Sequence, residues 1–280
     1  MLYYKKYILS FFTTSLLSVS LTPAYDYEEI SCKLLPITRS SIKKTSHPFI
    51  PAPSRSIIGR ETSTNWAGYV ATNNFTKPTK GSATKIVGSW NIPKATPFKG
   101  LATYSAFWIG LDGYSSETVE QIGTSCDIDA KGNVSYYAWF EMYPNPSYEI
   151  VGFPISPYDI ITASVEYIGT NTFAMKIYNQ TKKVAYSIPT GYTQSTKSLC
   201  NCAEWIAEAP WLNSILPLTN FNTATFSLCS ATINGKNLPL QNNSWQAMPI
   251  DMISSTNKYK AITSGVSANN NSFTVTWKNQ

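Results

Sequence analysis

The feature that most constrains this chain is a succession of short β-rich stretches that begins near residue 64 and continues to the C-terminus. Residues 83–90, 104–111, 134–142, 160–167, 172–178, 223–228 and 273–277 alternate, or are dense in β-branched and aromatic side chains, the pattern of half-buried strands. Turn signals at Asn133, 169–171, 234–235 and 269–271 separate many of them. No stretch carries a long helical periodicity, and nothing repeats at a fixed period. The spacing predicts an all-β chain folded as an antiparallel sandwich or barrel, with residues 61–280 as a single domain.

The N-terminus predicts the compartment. Lys5 and Lys6 precede an apolar run over residues 7–21 that ends in small residues at Thr22 and Ala24. This is the form of a secretory signal, residues 1–24. The run is shorter than the 18 or so apolar residues that span a bilayer, so a secreted or periplasmic protein without stable membrane association is expected. Residues 25–60 are rich in Pro, Ser and Lys and read as a pro-segment or linker.

Residues 1–60 carry eight Lys and Arg against three carboxylates, whereas residues 61–280 carry fourteen Lys against thirteen. The basic excess therefore sits in the segment expected to leave, and the remainder has no run suited to phosphates, which argues against a nucleic-acid partner. The single histidine is His47. A mature chain without it cannot assemble a Ser-His-Asp or Cys-His mechanism or a His-ligated zinc site. Of the five cysteines, Cys32 is expected to leave, and the other four permit three pairings. Cys126 with Cys200 or Cys202 would tie together the two stretches that carry chemistry.

Three segments place acids among aromatics. In V-S-Y-Y-A-W-F-E-M-Y-P, residues 134–144, strand alternation puts Tyr137, Trp139, Glu141 and Tyr143 on one face, an aromatic wall suited to an extended ligand. In F-W-I-G-L-D-G, residues 107–113, Trp108 and Asp112 share a face, and the chain continues to Gln121 on what should be the rim of that face. In A-E-W-I-A-E-A-P, residues 203–210, Glu204 and Glu208 fall on one side whether the segment is strand or helical turn.

Together with N-W-A-G-Y at 65–69 and Q-I-G at 121–123, these segments resemble the glutamic peptidases, or eqolisins, in particular their single-chain bacterial relatives. The resemblance implies a concanavalin A-like two-sheet antiparallel β-sandwich, a jelly roll, whose concave face binds a polypeptide substrate. It also implies a monomeric endopeptidase that acts in acid without metal or cofactor. By the matching positions, Gln121 and Glu208 are the catalytic pair, while Trp66, Trp108, Asp112, Trp139, Glu141, Tyr143 and Glu204 line or support the site. Tyr137 stands where the fungal enzymes carry an Asp, so one acid of their network is missing. Two alternatives share the sandwich: a carbohydrate-binding module, which would not require both Gln121 and Glu208, and a glycosidase using Glu141 and Glu208, against which stands the absence of the E-x-D-x-E string that such enzymes place on one strand.

Overall fold

The computed structural model describes residues 27–37, 48–52 and 59–280. The expected signal, 1–24, and His47 lie outside the described residues. Within them the chain forms eighteen strands and no α-helix. The first strands are β1 (Glu28–Glu29), β2 (Lys33–Pro36), β3 (Glu61–Ser63), β4 (Trp66–Thr72), β5 (Ala83–Asn91) and β6 (Thr103–Leu111). Next come β7 (Val119–Ile128), β8 (Val134–Tyr143), β9 (Tyr148–Val151), β10 (Ile160–Gly169), β11 (Thr172–Asn179) and β12 (Val184–Thr193). The last are β13 (Ala203–Glu208), β14 (Thr223–Ile233), β15 (Lys236–Pro239), β16 (Gln246–Ile253), β17 (Tyr259–Thr263) and β18 (Phe273–Trp277). Each stretch read as a strand from its alternation is one, and the undecided 203–210 segment resolves to a strand because β4 and β6 bond to both its edges.

Hydrogen bonding links the strands into one ribbon, in the order β2-β9-β8-β7-β6-β13-β4-β16-β17-β18-β14-β5-β10-β11-β12-β1. Pairing is antiparallel except at β1–β12 and at β3, which lies beside β16. The ribbon folds back on itself, so that β5, β10 and β11 lie against β6, β7 and β13 with no strand pairing between them, joined instead by side-chain bonds from Trp90 Nε1–H to Thr124 Oγ1 at 2.9 Å and from Trp205 Nε1–H to Val87 O at 2.8 Å. Alternation accounts for what fills the space between. Phe107, Ile109, Leu111, Ile122, Phe140 and Trp205 point from one half toward Ile86, Trp90, Val165, Phe173, Ile177 and Phe226 of the other, and all are buried. Burying one such side chain is worth about 1.5–3 kcal/mol.

The opposite face of the first half would ordinarily be solvated and polar. Instead it carries a second apolar cluster of Trp66, Val70, Trp108, Tyr137, Trp139, Ile206 and Ile250. The described parts of the N-terminal segment lie against the body. β1 and β2 add to the edges at β12 and β9, Ile37 N–H donates to Ser147 O at 2.9 Å, and Ile37 and Phe49 pack on the second cluster.

The cysteine expectation is corrected here. All five cysteines are free thiols. Cys126 pairs in register with Ser105, near the start of β6, whereas Ala203, the residue after Cys202, is level with Leu111 at its end. Six residues of strand, about 20 Å, separate the two levels, far beyond the Cα spacing a disulfide allows.

Candidate active site

Strand register sorts the residues singled out above into rows on the face bearing the second cluster. Glu204, Gly110, Gln121 and Glu141 lie side by side across β13, β6, β7 and β8. The next row holds Ile206, Trp108, Gly123 and Trp139, and the one beyond it Glu208, Ala106, Ser125 and Tyr137, with Trp66 opposite Glu208. Gln121, expected at the rim, is fully buried in mid-face, as are Glu141, Glu204 and Glu208.

Gln121 Nε2 donates to Glu141 Oε2 at 2.9 Å. A carboxylate accepts and only the nitrogen end of an amide donates, so this bond turns Gln121 Oε1 away from Glu141. That oxygen has no hydrogen-bond partner, and neither carboxyl oxygen of Glu204 accepts a well-formed hydrogen bond; the Cys202 thiol beside Glu204 offers only partial compensation. Gly110 separates the two residues in the row and puts no side chain between them. A Cβ there would lie 3.0 Å from Gln121 Cβ. Buried polar atoms without partners mark a place for water or ligand; here they belong to two residues of one row on one face, their backbones about 10 Å apart, with the Trp108 ring 3.1 Å from where a Gly110 Cβ would stand.

Glu208 lies four residues, about 13 Å, further along β13, where Trp108 Nε1–H donates to its Oε2 at 2.8 Å. Trp66 meets Trp108 edge-on, with ring centroids 5.0 Å apart. Trp139 stands beside Gly123 in the Trp108 row, and Tyr137 donates its hydroxyl to Asp127 Oδ2 at 3.0 Å. Tyr143, at the end of β8, is half-buried; burial and then the charge of Glu141 push its phenol up.

Asp112 does not line this face. Its φ of 67° breaks the alternation at the end of β6 and turns the carboxylate to accept N–H bonds from Leu199, Cys200 and Asn201 at 2.7–2.8 Å. It thereby tethers the loop that delivers β13. Glu120, next to Gln121 and passed over in the sequence, is buried on the other side of β7 and accepts Gln194 Nε2–H at 2.9 Å. Burial pushes the carboxyls of Asp112, Glu120 and Glu204 up, those of Glu120 and Glu204 well above the usual range. The Asp112 charge raises the other two further, and three backbone N–H bonds partly offset the rise at Asp112 itself. Among the described residues no group of three or more His, Cys, Asp or Glu is arranged to hold a metal ion, and no helix is long and apolar enough to cross a membrane.

Residues 64–277 match the sequence model of the Peptidase A4 family. The chain is 27% identical over 227 residues to aspergillopepsin-2 of Aspergillus niger, covering 70% of this chain and 77% of that protein. It is 29% identical over 203 residues to scytalidopepsin B of Scytalidium lignicola, covering 68% and 72%. Among solved structures, scytalido-glutamic peptidase bound to a transition-state analogue inhibitor superposes with a TM-score of 0.61 at 24% identity, over 77% of this chain and 98% of that one. Aspergilloglutamic peptidase from Aspergillus niger superposes with a TM-score of 0.54 at 25% identity, over 63% and 99%. The family match covers every motif that carries the site, and the chain therefore belongs to the Peptidase A4 family, the eqolisins, and is a hydrolase of peptide bonds.

Proposed function

We propose that this chain is a secreted endopeptidase working in acid, in which Gln121 and Glu204 activate a water to attack the peptide bond. The observation that carries the reading is the row Glu204–Gly110–Gln121, which sets the unpartnered oxygens of a carboxyl and an amide on one face with only a glycine between them in register. A water held there donates to Gln121 Oε1 and to ionised Glu204. As its oxygen bonds to the scissile carbonyl carbon, its proton passes to Glu204. The second N–H of Gln121 Nε2, left over from the bond to Glu141, donates to the oxyanion. Glu204 then returns the proton to the leaving nitrogen as the C–N bond breaks.

Glu208, which the resemblance suggests as the base, is the second reading. It is favoured by the Trp108 N–H that holds its carboxylate, but it lies two rows from Gln121. Burial raises the Glu204 carboxyl well above its usual range; readmitting water lowers it again and arms it as a base.

The facing halves of the ribbon support a two-sheet sandwich of jelly-roll type whose open face is the peptide cleft. Residues 1–24 direct export, and the leader that follows is removed to free the body. Arg60 belongs with the body rather than the leader: its guanidinium is bidentate on Asp251 at 2.7–2.9 Å. Buried carboxyls that favour their neutral form suit a protein that must stay folded in acid.

The test compares Gln121→Ala, Glu204→Gln and Glu208→Gln on a denatured protein substrate across acidic pH, with circular dichroism to verify folding. Gln121→Ala and Glu204→Gln lose about a hundredfold or more in rate, whereas Glu208→Gln retains turnover. Activity kept by Glu204→Gln and lost by Glu208→Gln transfers the base role to Glu208.

A further inference from the structure

Beside the catalytic rows lies an aromatic recess that the mechanism does not use. Phe49 enters it, its ring centroid 4.9 Å from that of Tyr114 and 5.9 Å from that of Trp66. Phe75 closes the far side, 5.6 Å from Tyr114. Burial and the nearby Glu61 push the Tyr114 phenol up to about 12, so this wall stays uncharged in acid and at neutrality.

The backbone on either side of Phe49 is held by bonds that do not read sequence. Phe49 N–H donates to Gly113 O at 3.0 Å, Thr64 N–H donates to Ile50 O at 3.0 Å, and Ala52 N–H donates to Thr62 O at 3.0 Å. Asn65 works as a main-chain clamp, its Oδ1 accepting Ile50 N–H at 3.0 Å and its Nδ2 donating to Pro48 O at 3.3 Å. An extended segment bound along its main chain, with one side chain seated in a pocket, is how proteins add a peptide strand. Any peptide can make the same backbone bonds; only the recess distinguishes side chains.

The recess is continuous with the catalytic face. Trp66 forms one wall and also stands opposite Glu208 in its row. Its indole Nε1–H is buried without a hydrogen-bond partner, a donor left over for a peptide carbonyl that the leader does not supply.

We propose that the recess walled by Trp66, Phe75 and Tyr114 is a side-chain subsite of the peptide cleft that takes a bulky aromatic residue of the substrate, and that Phe49 of the leader fills it before processing. This rests on the reading of the face as a peptide cleft. Leader and substrate compete for the recess, so the full chain is blocked where the processed enzyme is selective.

The test uses the full chain carrying Gln121→Ala, which removes turnover, with and without Phe49→Ala. N-acetylphenylalanine amide and N-acetylalanine amide are titrated against tryptophan fluorescence and by calorimetry. Phe49→Ala is expected to bind the phenylalanine probe at least about tenfold more tightly than the alanine probe, and adding Tyr114→Ala removes the difference. Chains with Phe49 or Phe49→Leu, which keep the recess filled, bind neither. Equal binding of the two probes, or binding by the Phe49 chain as tight as by Phe49→Ala, overturns the proposal.

Should Phe49→Ala not fold, the enzyme that the chain yields on processing is profiled on a peptide library. A preference of about tenfold for Phe, Tyr or Trp over Ala at one position is then required, and its absence overturns the proposal. Hydrolysis retained by Gln121→Ala would count against the catalytic assignment while leaving the binding comparison intact.

Discussion

Asp112, Glu120 and Glu204 are buried carboxyls near enough to raise one another, and of the three only Asp112 is fully bonded, accepting three backbone N–H groups. Each has its carboxyl raised by burial, and the Asp112 charge raises the other two further. The sign of the consequence follows from proton counting. Between the unfolded and folded values the folded state binds more protons, so stability is fully present below the unfolded value and falls as pH rises through the folded one. From these groups the protein is expected to gain thermal stability as pH drops from neutrality toward about 4, the ordinary carboxyl range. Glu204→Gln, neutral at every pH, should flatten that slope by a few degrees, the size of about 1 kcal/mol in a domain of this length. Melting curves between pH 4 and 7 provide the check; an unchanged slope would contradict the burial argument.

At the scale of the strand, β6 sets the distance across the site. Gly110 is closely packed between Gln121 and Glu204, and a Cβ there would press on Gln121 Cβ at 3.0 Å, Glu120 O at 3.1 Å and the Trp108 ring at 3.1 Å. Gly110→Ala is expected to displace the attacking water and the amide together. The rate should drop by about a hundredfold or more, the size seen when an oxyanion donor is misplaced, while strand pairing holds and Tm falls by only a few degrees. Peptide hydrolysis measured beside a melting curve separates this from unfolding. The close packing extends to β4, where a Cβ on Gly68 would lie 2.0 Å from Trp205 O. There the backbones of β4 and β13 approach so closely that Gly68→Ala is expected to part the strands and to be seen as loss of soluble protein.

Across the whole molecule, the ribbon gives the cysteines separate surroundings. Cys126 lies in a small cluster with Ala95 and Ile128, Cys200 lies in the core between the halves, and Cys202 is in the second apolar cluster with Trp66 and Trp108. Non-reducing peptide mapping is expected to find no Cys126–Cys200 or Cys126–Cys202 link. Arg60 joins the start of the body to β16, donating to Asp251 and to Thr263 O at 2.5 Å. Arg60→Ala leaves a buried carboxylate with its cation gone and should cost about 2 kcal/mol, less than for a fully buried pair because the guanidinium is part-exposed. Chemical denaturation of the two chains would measure it.

The sequence by itself determined the strands and their faces, because period-two alternation is a local property: Trp139 and Glu141 separate from Phe140 and Met142 without knowledge of any partner strand. It also determined the aromatic character of one face and, through the shared motifs, the family. Only the tertiary structure decided which acid shares a row with Gln121. Glu204 and Glu208 share a side of β13 in any conformation, and choosing between them needs the register with β6 and β7, a long-range pairing that no local pattern encodes. The turn of Asp112 away from its expected face and the separation of Cys126 from Cys202 depend in the same way on where strands end relative to their neighbours. Phe49 shows no periodic signal at all, since its place is fixed by aromatic rings of residues 66 and 114, themselves beside Phe75, which only the folded ribbon brings together.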